Sequence, residues 1–346
     1  MSTRESFLRA STYYRAAGYL CVPGHPRFDE LWRKSQACFH KACPLFAPPI
    51  QIVRIPFEGK YLPGYFWRPA DDEAKRPTFI SLGGNDDSGE EGFFWNGPAA
   101  VRRGCNYFTF ELPGHRGTVH LFPDLINRPD YEIPFRAALD RLLALPGVDE
   151  RLALAGHSHG GYTVCRIAIH EPRIQAIIPS PPLLNGEKAT LAVFGPLLNR
   201  IPGVVIDRIV DWKTRKSPSV RGLLYYSMWT LGFKTVSEAL SAVRQGKSHF
   251  NIEGQEQQIR CAALALAGEA EGQELLRQTR QFYDNISPQR KDLHLFTLDE
   301  DASDDHCQLD NRSRANQVIF DWLDDIFAYR GLAAQPATDP QESMEG

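Results

Sequence analysis

The chain has 346 residues, 42% hydrophobic and 23% charged, with a formal net charge of −3. That length suits one large α/β domain with insertions, or two domains. Near-balanced charge offers no basic surface for nucleic acid or an anionic membrane, and no apolar run approaches membrane-spanning length.

Two helical patterns open the chain, at residues 6–19 and 28–47, separated by a turn at Pro23-Gly24. Residues 51–68 then alternate apolar and polar, broken by Glu58-Gly59-Lys60, as a β-hairpin would. Strand patterns follow at 78–82, 107–112, 152–155, 176–178, 262–267 and 293–298, with helical patterns at 133–145, 275–285 and 316–329 between and after them. Such alternation specifies an α/β fold with a mostly parallel sheet covered on both faces. The interval 183–259 is far longer than a crossover requires and is rich in aromatics, including Trp212, Tyr225, Tyr226, Trp229 and Phe233. It reads either as an ordinary packed subdomain or as a helical cap whose underside faces the reacting centre. The expected division is a helical extension (1–50), a core in two parts (51–182 and 260–332), the cap (183–259) and a disordered tail (333–346).

Chemistry concentrates after the strand at 152–155, where the chain reads Gly156-His157-Ser158-His159-Gly160 and then turns helical. This is the form of a nucleophile elbow, with Ser158 on a turn too tight for side chains at Gly156 and Gly160. A serine hydroxyl is a weak nucleophile and needs a base, oriented by an acid, supplied later in the chain. The acid position falls in Gly268-Glu269-Ala270-Glu271, where Glu271 is preferred and Glu269 is the alternative. His306 is the one histidine between the last strand and the final helix, and it is the candidate base. Its neighbours Asp304 and Asp305 rank low as orienting acids. Oxyanion donors are expected from the backbone amides of His159 and Asn85, the latter in Gly83-Gly84-Asn85-Asp86. Gly84, Asp86, His115, His157, Tyr226 and Trp229 are candidate substrate contacts, although His115 also reads as a structural turn residue. No Cys/His ligand spacing supports a metal, and no phosphate loop or dinucleotide fingerprint occurs, so no cofactor is expected.

These segments, with Tyr13-Tyr14-Arg15-Ala16-Ala17, Pro56-Phe57-Glu58-Gly59, Leu112-Pro113-Gly114-His115 and Asp305-His306-Cys307-Gln308, resemble an α/β-hydrolase. The similarity is to the branch containing dihydroxypseudooxynicotine hydrolase, fungal polyketide-shortening hydrolases and fermentation-respiration-switch-type esterases. It implies the α/β-hydrolase fold, with a helical N-terminal extension and cap insertion, and cofactor-free hydrolysis of a carbon–carbon bond beside a ketone, or of an ester. Ser158 takes the nucleophile's place, His306 the base's and Glu271 the acid's. Two departures stand out: the acid position usually holds Asp, and His157 and His159 are unusual neighbours for the serine.

The leading expectation is a serine hydrolase acting on a small aromatic or polyketide-like metabolite. The alternatives are a non-hydrolytic cyclase, lyase or dehydratase on the same scaffold, and a catalytically silent binding protein. Seven cysteines in unpaired spacing, with Cys105, Cys165 and Cys261 in apolar segments, read as reduced thiols. The segment Met1-Ser2-Thr3-Arg4-Glu5-Ser6 lacks the apolar core of a signal peptide. A cytoplasmic protein is therefore expected, with a small-molecule substrate, no nucleic-acid or membrane partner, and room for a homodimer.

Overall fold

In the computed structural model, which describes residues 2–198, 201–247 and 249–328, the first two helical patterns fold as α1 (Thr3–Tyr19) and α2 (Pro26–Ala42). Ser2 caps α1 by accepting the Glu5 amide hydrogen, and Pro26 opens α2, where a missing N–H is harmless. α2 ends at Ala42, earlier than the pattern to residue 47 suggests, because Pro44 cannot donate the next helical hydrogen bond. The tail expected at 333–346 lies outside the described residues.

The hairpin is β1 (Gln51–Phe57) and β2 (Lys60–Trp67). Glu58 and Gly59 join them at φ 46° and 74°, a two-residue turn whose twist matches the strands. There follow β3 (Arg76–Leu82), α3 (Gly89–Arg102), β4 (Asn106–Phe110), α4 (Arg116–Leu121) and α5 (Glu132–Leu143). Next come β5 (Val148–His157), α6 (His159–His170) and β6 (Ala176–Ser180). Among the described residues, four helices are inserted after β6: α7 (Gly186–Leu198), α8 (Gly203–Thr214), α9 (Pro218–Thr230) and α10 (Val236–Arg244). The chain returns through β7 (Ala262–Gly268), α11 (Gln273–Asn285), β8 (Lys291–Phe296), α12 (Leu298–Asp301) and α13 (Arg312–Phe327). β8 stops short of residue 298 because the Thr297 hydroxyl accepts the Glu300 amide hydrogen and starts α12 instead.

Among the described residues, eight strands form one sheet in the order β1-β2-β4-β3-β5-β6-β7-β8. β2 pairs antiparallel with β1 and β4, and every later neighbour runs parallel. Because β3 lies between β4 and β5, the chain leaves it to one side and crosses back to the other. The loops after β3 and β5 therefore splay apart and open a crevice at their C-terminal ends.

Strand alternation divides the core in two. Leu152 and Leu154 of β5 join Phe135, Leu139 and Leu142 of α5 on one face. Ala153 and Ala155 join Phe93 of α3 and Ile319 and Phe320 of α13 on the other. The inserted helices keep a small core of their own, with Ile206, Val210, Met228, Val236 and Leu240. They also dock on the N-terminal extension: a side chain at Gly222 would come within 2.0 Å of the Tyr19 carbonyl oxygen. Among the described residues no helix is long and apolar enough to cross a membrane.

Leu154 is 0% exposed at the centre of the sheet. Leu154→Ala leaves a void that neighbouring strands cannot close, and is expected to cost about 2–5 kcal/mol of unfolding free energy. The urea midpoint at unchanged slope measures it, and a loss below about 1 kcal/mol would contradict this packing.

Candidate active site

β5 runs directly into α6 through Ser158, which adopts φ 57° and ψ −119°. A non-glycine residue pays for such a backbone with strain, so the surroundings must fix it. Three glycines make that possible. A Cβ at Gly156 would meet Gly160 O at 2.1 Å, one at Gly160 would meet Gly83 O at 2.7 Å, and one at Gly161 would meet Pro181 O at 1.9 Å. The Ser158 amide donates to Ser180 O at 2.8 Å, and the Gly161 amide donates to Ser158 O at 2.8 Å. The role of Gly161 depends on the loop after β6, which no local pattern reveals.

The acid and base positions meet as the order of the chain suggests. β7 and β8 pair in parallel, and the turns that follow them pack so closely that a Cβ at Gly268 would sit 2.1 Å from Asp304 O. Glu271 Oε2 accepts from His306 Nδ1 at 2.6 Å, and Glu271 Oε1 accepts from the Cys307 amide at 3.2 Å. The Glu271 side chain is 1% exposed and that of His306 43%. The carboxylate is thus sealed behind an imidazole whose other edge is open. Glu269 lies exposed on the same turn. Asp305 instead accepts the His306 amide hydrogen at 2.7 Å, as a cap. Burial alone would lower the His306 pKa, but the Cys307 side chain and the Glu271 carboxylate outweigh it and hold the imidazole above its ordinary range.

Glu271, His306 and Cys307 bring three ligand-type atoms within 4.8 Å of one another. The carboxylate oxygens are already used by His306 and Cys307, and Cys307 Sγ lies 3.2 Å from Ser180 O. These donors and acceptors satisfy one another, which fits an acid–base pair better than a cation site.

The loop after β3 reaches Ser158. A Cβ at Gly84 would stand 3.0 Å from Ser158 Cβ and 3.1 Å from His157 O. The Gly84 amide donates to Asp87 Oδ2 at 2.6 Å, and the next amide along is that of Asn85. The Asn85 side chain is committed elsewhere, donating to Ser227 Oγ of α9 at 2.7 Å and accepting from Asn127 Nδ2 at 3.0 Å. The Asp86 carbonyl accepts from Tyr19 Oη and Arg116 Nε, each at 3.2 Å.

Ser158, His159, Glu271 and His306 share the wall of one cavity of about 890 Å³. Its apolar side is made by Pro181, Leu183, Leu275, and Ala189 and Ala192 of α7. The charged groups at its rim, Glu274 and Arg277, pair with each other at 2.7 Å. The inserted helices therefore do contribute a wall, but through small residues of α7.

None of the six expected substrate contacts lines this cavity: Gly84 and Asp86 lie in the loop after β3, and the other four are directed elsewhere. Tyr226 is fully buried on α9 and donates to Gly114 O at 3.0 Å, while Trp229 packs edge-on against Phe28 of α2. Both face the N-terminal helices, a direction set by docking that helical spacing does not disclose. His157 points beneath the elbow, with Nε2 2.8 Å from Asn96 Oδ1, and burial, Arg312 and His306 hold its pKa well below the usual range. It is the last residue of β5, and pleat alternation alone could have placed it opposite Gly156. His115 is buried at the start of α4, and burial, with His159 nearby, lowers its pKa to about 3. His159 does reach the cavity wall, and burial lowers it to about 4, so it is a neutral ring at physiological pH.

A family model described as the alpha/beta hydrolase family matches residues 62–245. Hydrolase ORFZ of Pyricularia oryzae is 37% identical over 200 residues, 53% of this chain and 47% of that protein. The 20-hydroxy-prefusarin hydrolase FUS2 of Gibberella moniliformis is 28% identical over 69% of this chain and 61% of its own. The chain thus spans about half to three fifths of these two relatives. The crystal structure of 2,6-dihydroxy-pseudo-oxynicotine hydrolase superposes with a TM-score of 0.71 at 23% identity, covering 95% of this chain and 82% of that one.

A base acts only when neutral, so activity should rise as pH climbs through the His306 pKa. Glu271→Gln removes one cause that raises that pKa, which moves the acid limb of kcat/KM to lower pH. The same change should cost about a hundredfold or more in kcat through lost orientation of the ring. Glu269→Gln should do neither. Equal losses in the two variants, or an acid limb that stays in place, would contradict the assignment.

Proposed function

The chain belongs to the alpha/beta hydrolase family, and from that premise we propose a serine hydrolase that cleaves a carbon–carbon bond beside a ketone, or an ester, in a small aromatic or polyketide-like metabolite. The observation that carries this reading is the sealed Glu271 carboxylate behind His306, on the same cavity wall as Ser158.

His306 takes the proton of Ser158 as Oγ attacks the substrate carbonyl. The tetrahedral oxyanion is held by the amides of Asn85 and His159. When the carbonyl re-forms, the bond to the leaving group breaks. In a β-diketone the electron pair leaves as an enolate, and the His306 imidazolium returns its proton to the enolate carbon. In an ester the alkoxide takes the same proton. Water, deprotonated by His306, then attacks the acyl-enzyme, and the carboxylic acid departs as Ser158 recovers its hydrogen.

The cavity is within the size range of small-molecule sites, and its aliphatic wall and internally paired rim charges favour an uncharged ligand. The name of the Gibberella relative supports a polyketide-like substrate. The carbon–carbon reaction is preferred over a non-hydrolytic one because an intact nucleophile, base and acid serve covalent catalysis, whereas proton transfer alone would need no elbow.

A fluorophosphonate should add once, at Ser158, and Ser158→Ala should abolish the adduct. Supplied with 1-phenylbutane-1,3-dione and with p-nitrophenyl butyrate, the protein should release acid from at least one. Ser158→Ala should lower that turnover by about 10⁴-fold or more. Labelling at another residue, or alanine-variant activity near that of the parent, would refute the serine mechanism. Ester turnover without cleavage of the diketone would restrict the activity to esterase.

A further inference from the structure

Arg116 opens α4 and is 4% exposed. Its guanidinium carbon stands 4.5 Å from the ring centroid of Tyr19 of α1 and 4.5 Å from that of Tyr226 of α9. A planar cation between two ring faces gains from both, and the gain grows as water is excluded. From this position Nε donates to Asp86 O at 3.2 Å, and the Arg116 amide donates to Asp87 O at 3.1 Å. Tyr19 Oη donates to the same Asp86 carbonyl at 3.2 Å and is 3.1 Å from Glu91 Oε2, while Arg15 pairs with Glu91 at 2.5 Å. Tyr226 is tied to Gly114 O, and Ser227, the next residue of α9, holds the Asn85 side chain. Three segments remote in sequence therefore converge on the loop after β3.

The frame around that loop is rigid as well. Glu111, at the end of β4, accepts the amide hydrogens of both Gly89 and Gly117, which pins the first turns of α3 and α4 together. A side chain at Gly117 would collide with that carboxylate at 2.5 Å. Residues 83–88 run from β3 to the start of α3, and within them the Asn85 N–H belongs to the peptide linking Gly84 and Asn85, while the Asp86 carbonyl belongs to the peptide two along, linking Asp86 and Asp87. The Asp86 carbonyl is where Arg116 and Tyr19 act.

We infer that Arg116, stacked between Tyr19 and Tyr226, is a positioning residue that fixes the Asn85 amide over Ser158 through the Asp86 carbonyl, and so makes the N-terminal helices part of the catalytic apparatus. This rests on the serine-hydrolase reading above and adds to it a source of order for the oxyanion donor. An oxyanion donor acts only if it is aimed before the reaction, and displacement by about 1 Å can cost a hundredfold. The N-terminal helices and α9 hold this aim from outside the sheet.

The test uses the full chain, Arg116→Ala, and Tyr19→Phe, which keeps the ring and deletes only the hydroxyl. The readouts are the second-order rate of fluorophosphonate addition to Ser158, and the affinities for an aryl trifluoromethyl ketone and for the matching methyl ketone. The trifluoromethyl ketone forms a tetrahedral adduct that uses the oxyanion donors, and the methyl ketone binds in its carbonyl form. Arg116→Ala should slow addition by about tenfold or more and weaken the trifluoromethyl ketone by a similar factor, with the methyl ketone within about twofold. Tyr19→Phe should show the same pattern at smaller size, with its melting temperature kept. Equal weakening of both ketones, or addition rates within twofold of the parent in folded Tyr19→Phe, would overturn the inference. Should Arg116→Ala fail to fold, Tyr19→Phe decides alone. Failure of the parent itself to label at Ser158 would instead overturn the serine-hydrolase reading, and this inference with it.

Discussion

The peptide at Ser158 is the constraint on which the rest of the site depends. Its backbone can hold φ 57° only because the carbonyls of Gly83, Gly160 and Pro181 occupy the space that side chains would need. Those contacts press the loop after β3, the start of α6 and the loop after β6 against one another. The crevice set by strand order thereby acquires a fixed floor, with one hydroxyl raised from it. Strain of this kind persists only where neighbouring structure over-determines it. Here the neighbours are backbone, which has no alternative rotamer to adopt.

Around that floor, the polar groups divide by what they can touch. Glu271 is sealed and spends both oxygens on His306 and Cys307, whereas His306 keeps an open edge. In the proposed mechanism, a buried carboxylate of this sort stabilises the imidazolium as it forms and fixes which nitrogen faces the substrate. The histidines on either side of Ser158 do something else. Burial keeps both neutral, and His157 serves the interior through Asn96. They add no positive charge beside Ser158, so the electrostatics of the site are dominated by the Glu271–His306 pair.

Much of this was legible in the sequence where a local rule applies. Strand and helix alternation yields the parallel sheet, and the Gly-x-Ser-x-Gly turn after a strand identifies the elbow. Counting forward to the ends of β7 and β8 brings Glu271 and His306 together, because parallel neighbours deliver their following loops to the same edge. Directions fixed by tertiary docking were not legible. Tyr226 and Trp229 turn toward the N-terminal helices because Gly222 lets α9 lie against Tyr19, and the cavity is closed by Ala189 and Ala192 of α7 instead. Arg116 likewise gives no signal in isolation, since its two aromatic partners are about a hundred residues away in each direction along the chain.

A crystal structure of the protein reacted with an aryl trifluoromethyl ketone tests the serine mechanism most directly. A bond is expected from Ser158 Oγ to the former carbonyl carbon, with its oxygen within hydrogen-bond distance of the Asn85 and His159 amides. The His306 imidazole should lie beside Oγ, with Glu271 behind it. An adduct on another residue, or an oxygen turned away from both amides, would contradict it.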